Sequence, residues 1–207
     1  MNETIQTQLN HRTIRAFKDQ ALTKEEVDLL VEVAQRTASS MYLQAYSIIS
    51  VTDPELKKEL AAVSGQSYVA TSGHLFVFVV DQRRNTEIAK ALGQEVGVQG
   101  SADRFVSGLT DAVIAAQNVV VAAESLGMGT VYLGSLFNDT AKVVELLNLP
   151  EYTYPAIGVA LGWPSQEPQL KPRLPKEVIH MENGYRELEN PLEELKEYDA
   201  TVTEYYD

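Results

Sequence analysis

The run DAVIAAQNVVVAAESLG, residues 111–127, constrains what this chain can fold into more than any other stretch. Read as a helix, it is apolar nearly all round, so no broad face of it suits water. Its apolar run stays below the roughly 18 residues a membrane span requires, as does every other run in the chain. The helix is therefore expected inside a fold and covered on every face. A second copy of the chain in a twofold dimer would complete that cover.

The rest of the chain supplies the material for such a fold. Its 207 residues can bury roughly 70% of the surface the unfolded chain exposes, so one domain needs no staple. Ile5 and Leu9 suggest a short helix over 2–10. Thr23 and Glu26 form a capping box ahead of the stripe Val27, Leu30, Val31 and Ala34, which predicts a helix over 24–36. YSIISV (46–51) is short and β-branched and reads as a strand. Asp53-Pro54 opens a helix that Gly65 closes. LFVFVV (75–80) is apolar without a break, as in a central strand. Residues 84–107 are expected to be helix plus loop. TVYLGSL (130–136) reads as a strand running into a turn, DTAKVVELLNL (139–149) as an Asp-capped helix, and YPAIGVALGW (154–163) as a buried strand. Residues 164–190 carry Pro164, Pro168, Pro172 and Pro175 and are expected to form an extended arm, followed by an acidic helix over 191–206. The mixture points to an α+β fold, or α/β with a small sheet.

The formal charge of −12 disfavours nucleic acid and anionic membranes as partners. The absence of cysteine removes disulfides, thiolate metal sites and cysteine nucleophiles. His11, His74 and His180 are far apart and form no metal-binding pattern, so no metal is expected. No G-x-S-x-G elbow is present. MNETIQTQLN lacks the apolar core of a signal peptide, and a soluble cytoplasmic protein is the expectation.

Against that acidic background the chain gathers positive charge twice. NHRTIRAFKDQ (10–20) holds His11, Arg12 and Arg15 around the Thr13 hydroxyl, and LKPRLP (170–175) holds Lys171 and Arg173 between prolines. Charge runs usually face water, but guanidinium groups, an ammonium and a hydroxyl also match phosphate oxygens. Two separate clamps suggest one phosphorylated ligand. In TASSMYLQAYSII (37–49), Ser39, Ser40 and Gln44 are either an ordinary polar loop or an edge that reads a planar heterocycle. The glycines of GMGTVYLGSLFND (127–139) have the wrong spacing, and the wrong element before them, for a dinucleotide fingerprint. Gly127 reads as a helix stop. Gly134 would let backbone approach a flat ligand and offer it an N–H.

Taken together, HRTIRAF, SSMYLQAYSIISVTD, GQSYV, VYLGSLFND, GVALGWP and LKPRLP resemble, in order and spacing, the FMN-dependent nitroreductase family. The resemblance is greatest to its oxygen-insensitive NADPH nitroreductase and NADPH–flavin oxidoreductase branch, and it covers nearly the whole chain. It implies a single α+β domain over 1–207: a nitroreductase-like sandwich in which helices flank a small, mostly antiparallel sheet, with 164–207 as arm and terminal helix. It further implies a homodimer with one non-covalent FMN per subunit at the interface. His11, Arg12, Thr13 and Arg15 would surround FMN. Arg12, Thr13, Lys171 and Arg173 would take its phosphate, and Arg15 would lie near the ring's N1/O2 edge. Ser39, Ser40 and Gln66 match polar contacts, and Tyr132, Leu133, Gly134 and Ser135 match the backbone along the ring at N5.

The implied activity is hydride transfer from NADPH or NADH through FMN N5 to nitroaromatics, quinones or free flavins, in two half-reactions. No catalytic side chain is required, because the cofactor carries the chemistry. The alternative is an FMN-binding or flavin-handling protein with little dehydrogenase activity. Three departures are visible. Thr13 stands where the family more often has serine, and the hydroxyl is kept. Phe137 stands where the branch carries an arginine, and EYYD ends where the branch continues into an arginine-bearing segment that helps hold NADPH.

Overall fold

The computed structural model describes all of residues 1–207. Two compact units are present, Met1–Pro168 and Gln169–Asp207. The first contains, in order, α1 (Glu3–Leu9), α2 (Lys24–Gln35), β1 (Tyr46–Val51), α3 (Pro54–Ser64), α4 (Tyr68–Thr71), β2 (His74–Asp81), α5 (Arg83–Ala91), α6 (Ala102–Ser125), β3 (Gly129–Leu133), α7 (Thr140–Leu146) and β4 (Thr153–Gly162). A 3-10 turn, Gly134–Asp139, joins β3 to α7. The second unit holds α8 (Lys176–Ile179), α9 (Pro191–Glu194) and α10 (Lys196–Tyr206).

Local chemistry places most of these ends. Thr23 and Glu26 close both halves of the capping box on α2. Asp53 caps α3 by accepting from the backbone of Glu55 and Leu56, and Gly65 ends that helix at φ 65°, a left-handed conformation that a side chain disfavours. Asp139 accepts from the Lys142 backbone at the start of α7.

The sheet has the order β1-β2-β4-β3, and every neighbouring pair is antiparallel. β2 is central and buried along its whole length, as its unbroken apolar sequence predicts. Its side chains alternate between faces. Phe76, Phe78 and Val80 join Leu30, Ala34 and the alanines of α6 in one core layer, while Leu75, Val77 and Val79 join Leu60, Val69, Leu136 and Val143 in the other. Helices thus cover both faces of a four-stranded sheet, the α+β sandwich expected from the sequence.

Three expectations need correction. The long helix begins at Ala102 and runs 24 residues, so it is long and apolar enough to cross a membrane by length and composition. One side of it packs against α2, β2 and β4, where its small residues Ala112, Ala115, Ala116 and Ala123 are fully buried, while Phe105, Val106 and Val113 stay exposed, so the chain by itself does not cover every face of this helix. β3 stops at Leu133, where the backbone enters the 3-10 turn rather than continuing to 136. The terminal helix is two helices that meet at Leu195, and α4 had no counterpart in the sequence reading.

Candidate functional site

The basic segment is held against the edge of the sheet. Thr13 pairs with Thr130 in a parallel bridge, and the Ile14 amide donates to the Thr130 carbonyl at 2.9 Å. Further along, Lys18 N–H donates to the Trp163 carbonyl at 2.8 Å and Ser165 N–H to the Ala16 carbonyl at 3.0 Å. Ile14 is the buried anchor of this lashing. It lies so close over Gly129 that a Cβ there would come within 2.5 Å of its side chain, so only glycine fits beneath it. In extended backbone, burying Ile14 turns Thr13 and Arg15 to the opposite side.

Glu124, near the end of α6, fixes the start of the segment. Its Oε1 lies 2.7 Å from His11 Nδ1 and accepts from Thr130 Oγ1 at 2.7 Å, and its side chain is 12% exposed. Arg12 donates through Nη1 to the Asn10 carbonyl at 3.3 Å, while its Nε is buried with no acceptor. A buried N–H without a partner in the chain is rare and open to a water or a ligand oxygen; Trp163 Nε1 is a second such group here. Arg12 also lines a cleft of about 1620 Å³ between α1, the end of α6 and residues 164–168. Arg15 is exposed.

At the far end of β3, the Tyr132 hydroxyl donates to Gln117 Oε1 at 2.9 Å. Burial, reinforced by the charge of Glu124, raises its pKa above the ordinary tyrosine value, so it stays a protonated donor. Leu133 points into the core and offers only backbone. Gly134 is exposed, and a Cβ built on it would meet nothing within 4 Å. Packing within the chain does not require glycine there. Ser135 is half-buried on the same turn. Phe137 is 44% exposed and stacks on Tyr154 with ring centroids 6.1 Å apart. Gln66 follows the Gly65 stop of α3, which packs against this turn; Asn138 Nδ2 donates to the Val63 carbonyl at 3.4 Å.

Ser39 and Ser40 are engaged elsewhere. Ser39 Oγ donates to Asp111 at 2.6 Å and accepts from the Gln44 amide at 2.6 Å. Asp111 also accepts from the Ser40 and Ala45 amides, each at 3.1 Å, and is 1% exposed. The loop this carboxylate ties down holds Met41, Tyr42 and Gln44 at φ 52°, 57° and 48°. Left-handed conformations at non-glycine residues cost of order 1–3 kcal/mol each, and they persist only where surrounding contacts impose them. Arg84 donates to the Gln44 and Tyr46 carbonyls and Asn85 to the Leu43 carbonyl, completing that restraint.

Lys171 and Arg173 belong to the second unit. The Lys171 ammonium donates to the Tyr206 hydroxyl at 3.2 Å and lies 5.7 Å from that ring's centroid. Arg173 folds back onto the carbonyls of Lys171 and Pro172.

The structure thus brings the 11–15 segment onto β3 and packs α3, whose end Gln66 follows, against the turn that begins at Gly134. Asp111, Gln117 and Glu124 escaped the sequence reading. For Asp111 and Glu124 a signal was present: a carboxylate in a helix this apolar is at risk of burial, and a buried carboxylate must be met by donors; Gln117 is exposed and had no such signal.

Known proteins share this fold. The chain is 44% identical to a Bacillus subtilis protein named FMN reductase (NADPH), with 100% of this chain and 84% of that one aligned. It is 46% identical to an NADPH-dependent oxidoreductase of Staphylococcus epidermidis, covering 95% of this chain and 80% of the other. Among solved structures, the NfrA1 nitroreductase of B. subtilis superposes with a TM-score of 0.95 at 43% identity, over 99% of this chain and 84% of that one. The NADPH:FMN oxidoreductase of Vibrio harveyi, complexed with NAD+, superposes with a TM-score of 0.92 at 40% identity, over 99% and 86%. The nitroreductase family model matches residues 9–163, the same span that carries the basic segment, the sheet and the Gly134 turn, and the model of that family's C-terminal domain matches 171–207; this chain belongs to the nitroreductase family.

Proposed function

We propose that this chain is an FMN-dependent NAD(P)H oxidoreductase acting on nitroaromatics, quinones or free flavins. Relatives along its whole length are named for NADPH-driven reduction, two of them with FMN in the name. The observation that carries the reading to particular residues is the buried, partnerless Nε of Arg12, in a cationic segment fastened to the strand that leads into open-sided Gly134. The donor set suits FMN: a guanidinium and a hydroxyl for phosphate, and exposed backbone for the edge of a ring.

When bound, FMN supplies the redox chemistry, taking a hydride from NAD(P)H and passing reducing equivalents to the acceptor in a second half-reaction. The chain's own work is binding, orientation and charge. Arg12 and Thr13 would take the phosphate together with Lys171 and Arg173. Arg15 would stand near the N1/O2 edge, where a cation favours the negative charge of the reduced state. Glu124 would keep His11 and the segment in register. Gln66 and the backbone of Tyr132–Ser135 would line the ring, and Asp111 would hold Ser39 and Ser40 in place around it. In this reading residues 1–207 work as one domain with 164–207 as its arm, and two copies pair with FMN at their interface. Apolar side chains left exposed along α6, such as Val106 at 57% and Val113 at 38%, support that pairing. The same reading takes the enzyme to be cytoplasmic.

The test begins with the purified protein, which is expected to be yellow or to take up FMN, and to bleach on anaerobic mixing with NADPH. A protein that takes up FMN but does not bleach at millimolar NADPH or NADH is a flavin holder rather than a reductase. Each of Arg12→Ala and Arg173→Ala is expected to remove about 1.5–3 kcal/mol of charge-assisted binding, weakening FMN roughly 10- to 150-fold in flavin-fluorescence titrations. If neither weakens it, the shared-phosphate model fails.

Gly134→Val tests the other end of the site. Because the new side chain enters space that the chain leaves open, the melting temperature should stay within a few degrees of wild type. The Kd for FMN is expected to rise at least about 10-fold, roughly 1.4 kcal/mol. An unchanged Kd would remove Gly134 from the site.

A further inference from the structure

Away from these residues a second cavity, of about 330 Å³, lies where the start of α3, the end of β1 and the start of β2 meet. None of the residues assigned above to FMN lines it. Two basic side chains do, Lys57 and His74. The Lys57 ammonium donates to the Ser72 carbonyl at 2.5 Å, and no carboxylate lies within ion-pair distance of it. His74 is 6% exposed, and its Nε2 lies 3.1 Å from Ser50 Oγ. Burial lowers the pKa of Lys57, and burial together with the Lys57 charge lowers that of His74.

Lys57 is half-buried, and His74, its pKa lowered by burial to about 4, is uncharged at neutral pH, so Lys57 is the one cation lining the cavity. A partly desolvated ammonium gains from an anion beside it. The only acid lining the cavity is Asp19, which is exposed and makes no ion pair with Lys57. An ammonium has three N–H donors, and one neutral carbonyl satisfies one of them. The remaining donors adjoin a cavity with room for several small molecules, which Thr52 and Thr71 also line. An anion from solution, small enough to enter and rich in acceptor oxygens, would match them.

We propose that this cavity binds a phosphate-class oxyanion, with Lys57 as its principal ligand and His74 beside it. The oxyanion is inorganic phosphate or the phosphate of a small monoester. It is distinct from FMN, and it would tie α3 to the sheet near the strand junction.

The test uses protein saturated with FMN, so that added phosphate cannot enter at Arg12. Melting temperature is followed at constant ionic strength while chloride is exchanged for inorganic phosphate or for glycerol phosphate. A bound oxyanion at ten times its Kd should raise the melting temperature by about 3–5 °C and then saturate. Lys57→Met, which keeps the aliphatic stem, should lose the rise, and Lys57→Arg should keep it. Equilibrium dialysis of the wild-type protein should find one phosphate per chain beyond that of FMN. The compound with the lower Kd names the source. No saturable rise with either compound, an equal rise in Lys57→Met, or no bound phosphate in dialysis overturns the proposal. The dialysis result stands even if Lys57→Met fails to fold.

Discussion

Asp111→Ala is expected to lower the stability of the protein by about 3 kcal/mol or more, seen as a fall of about 10 °C in melting temperature. The carboxylate accepts from the Ser39 hydroxyl and from the Ser40 and Ala45 amides, and almost none of it reaches water. Truncation leaves three donors facing a hole beside α6. Leaving a buried donor unsatisfied costs about 1–3 kcal/mol, partly relieved if the loop rearranges or water enters. That relief has a local signature. The loop carrying Met41, Tyr42 and Gln44 in left-handed conformations would lose one of the contacts imposing them, so proteolytic nicking between residues 39 and 45 should accelerate in step with the loss of stability. Asp111→Asn preserves shape but turns an amide N–H toward a donor, and it should fall between wild type and alanine. A melting temperature for Asp111→Ala within about 2 °C of wild type would show that the carboxylate is not what organises this loop.

Stability is expected to drop by about 3 kcal/mol as pH falls from 6.5 toward 4, through one side chain, His74. Burial first, and the neighbouring Lys57 charge second, depress its pKa from the ordinary 6.5 to about 4 in the folded protein. Between those values the unfolded chain binds a proton that the folded chain refuses, so acid favours unfolding. The contribution is complete above the unfolded pKa and is lost as pH approaches the folded one. Carboxylates add a second acid limb at lower pH. Burial acts to raise the pKa of Asp81, but its hydrogen bonds from Ser47 and Arg84 more than offset that, and the net shift is downward. The measurement that isolates His74 is the difference between wild type and His74→Gln in urea unfolding from pH 7 to 4.5, in chloride buffer. The wild-type curve should fall more steeply, whatever constant offset the substitution introduces. Parallel curves would show that His74 does not carry the dependence.

Much of the fold was legible because its signals are local. The Thr23–Glu26 box, the Asp53-Pro54 start and the Gly65 stop each act within one helical turn, and each lies where the sequence places it. The six-residue β1 coincides with YSIISV, and the apolar run at 75–80 is the core of central β2. The start of α6 was not legible. Residues 102–110 are Ala-Asp-Arg-Phe-Val-Ser-Gly-Leu-Thr, whose polar and glycine content breaks the apolar pattern. Gly108 is tolerated there because Val80 and the Ala45 carbonyl press against the helix; a Cβ would lie 2.7 Å from the former. The candidate site divides in the same way. The cationic segment and the Gly134 turn could be read from residue types, and family resemblance supplied the roles that residue types alone left open.

The sequence by itself determined the alternation of helices and strands, the burial of β2 on both faces and membership of the nitroreductase family, since periodicity, capping and ordered motifs are written in neighbouring residues. Only the tertiary structure decided that Ile14 would seat over Gly129 and carry the basic segment onto β3, that Asp111 would be consumed in shaping the Ser39–Ala45 loop, and that Lys57 and His74 would share a cavity with no paired acid. Each of these joins residues well separated along the chain. Whether a charge is matched, or an N–H left without an acceptor, depends on which surfaces come together and exclude water.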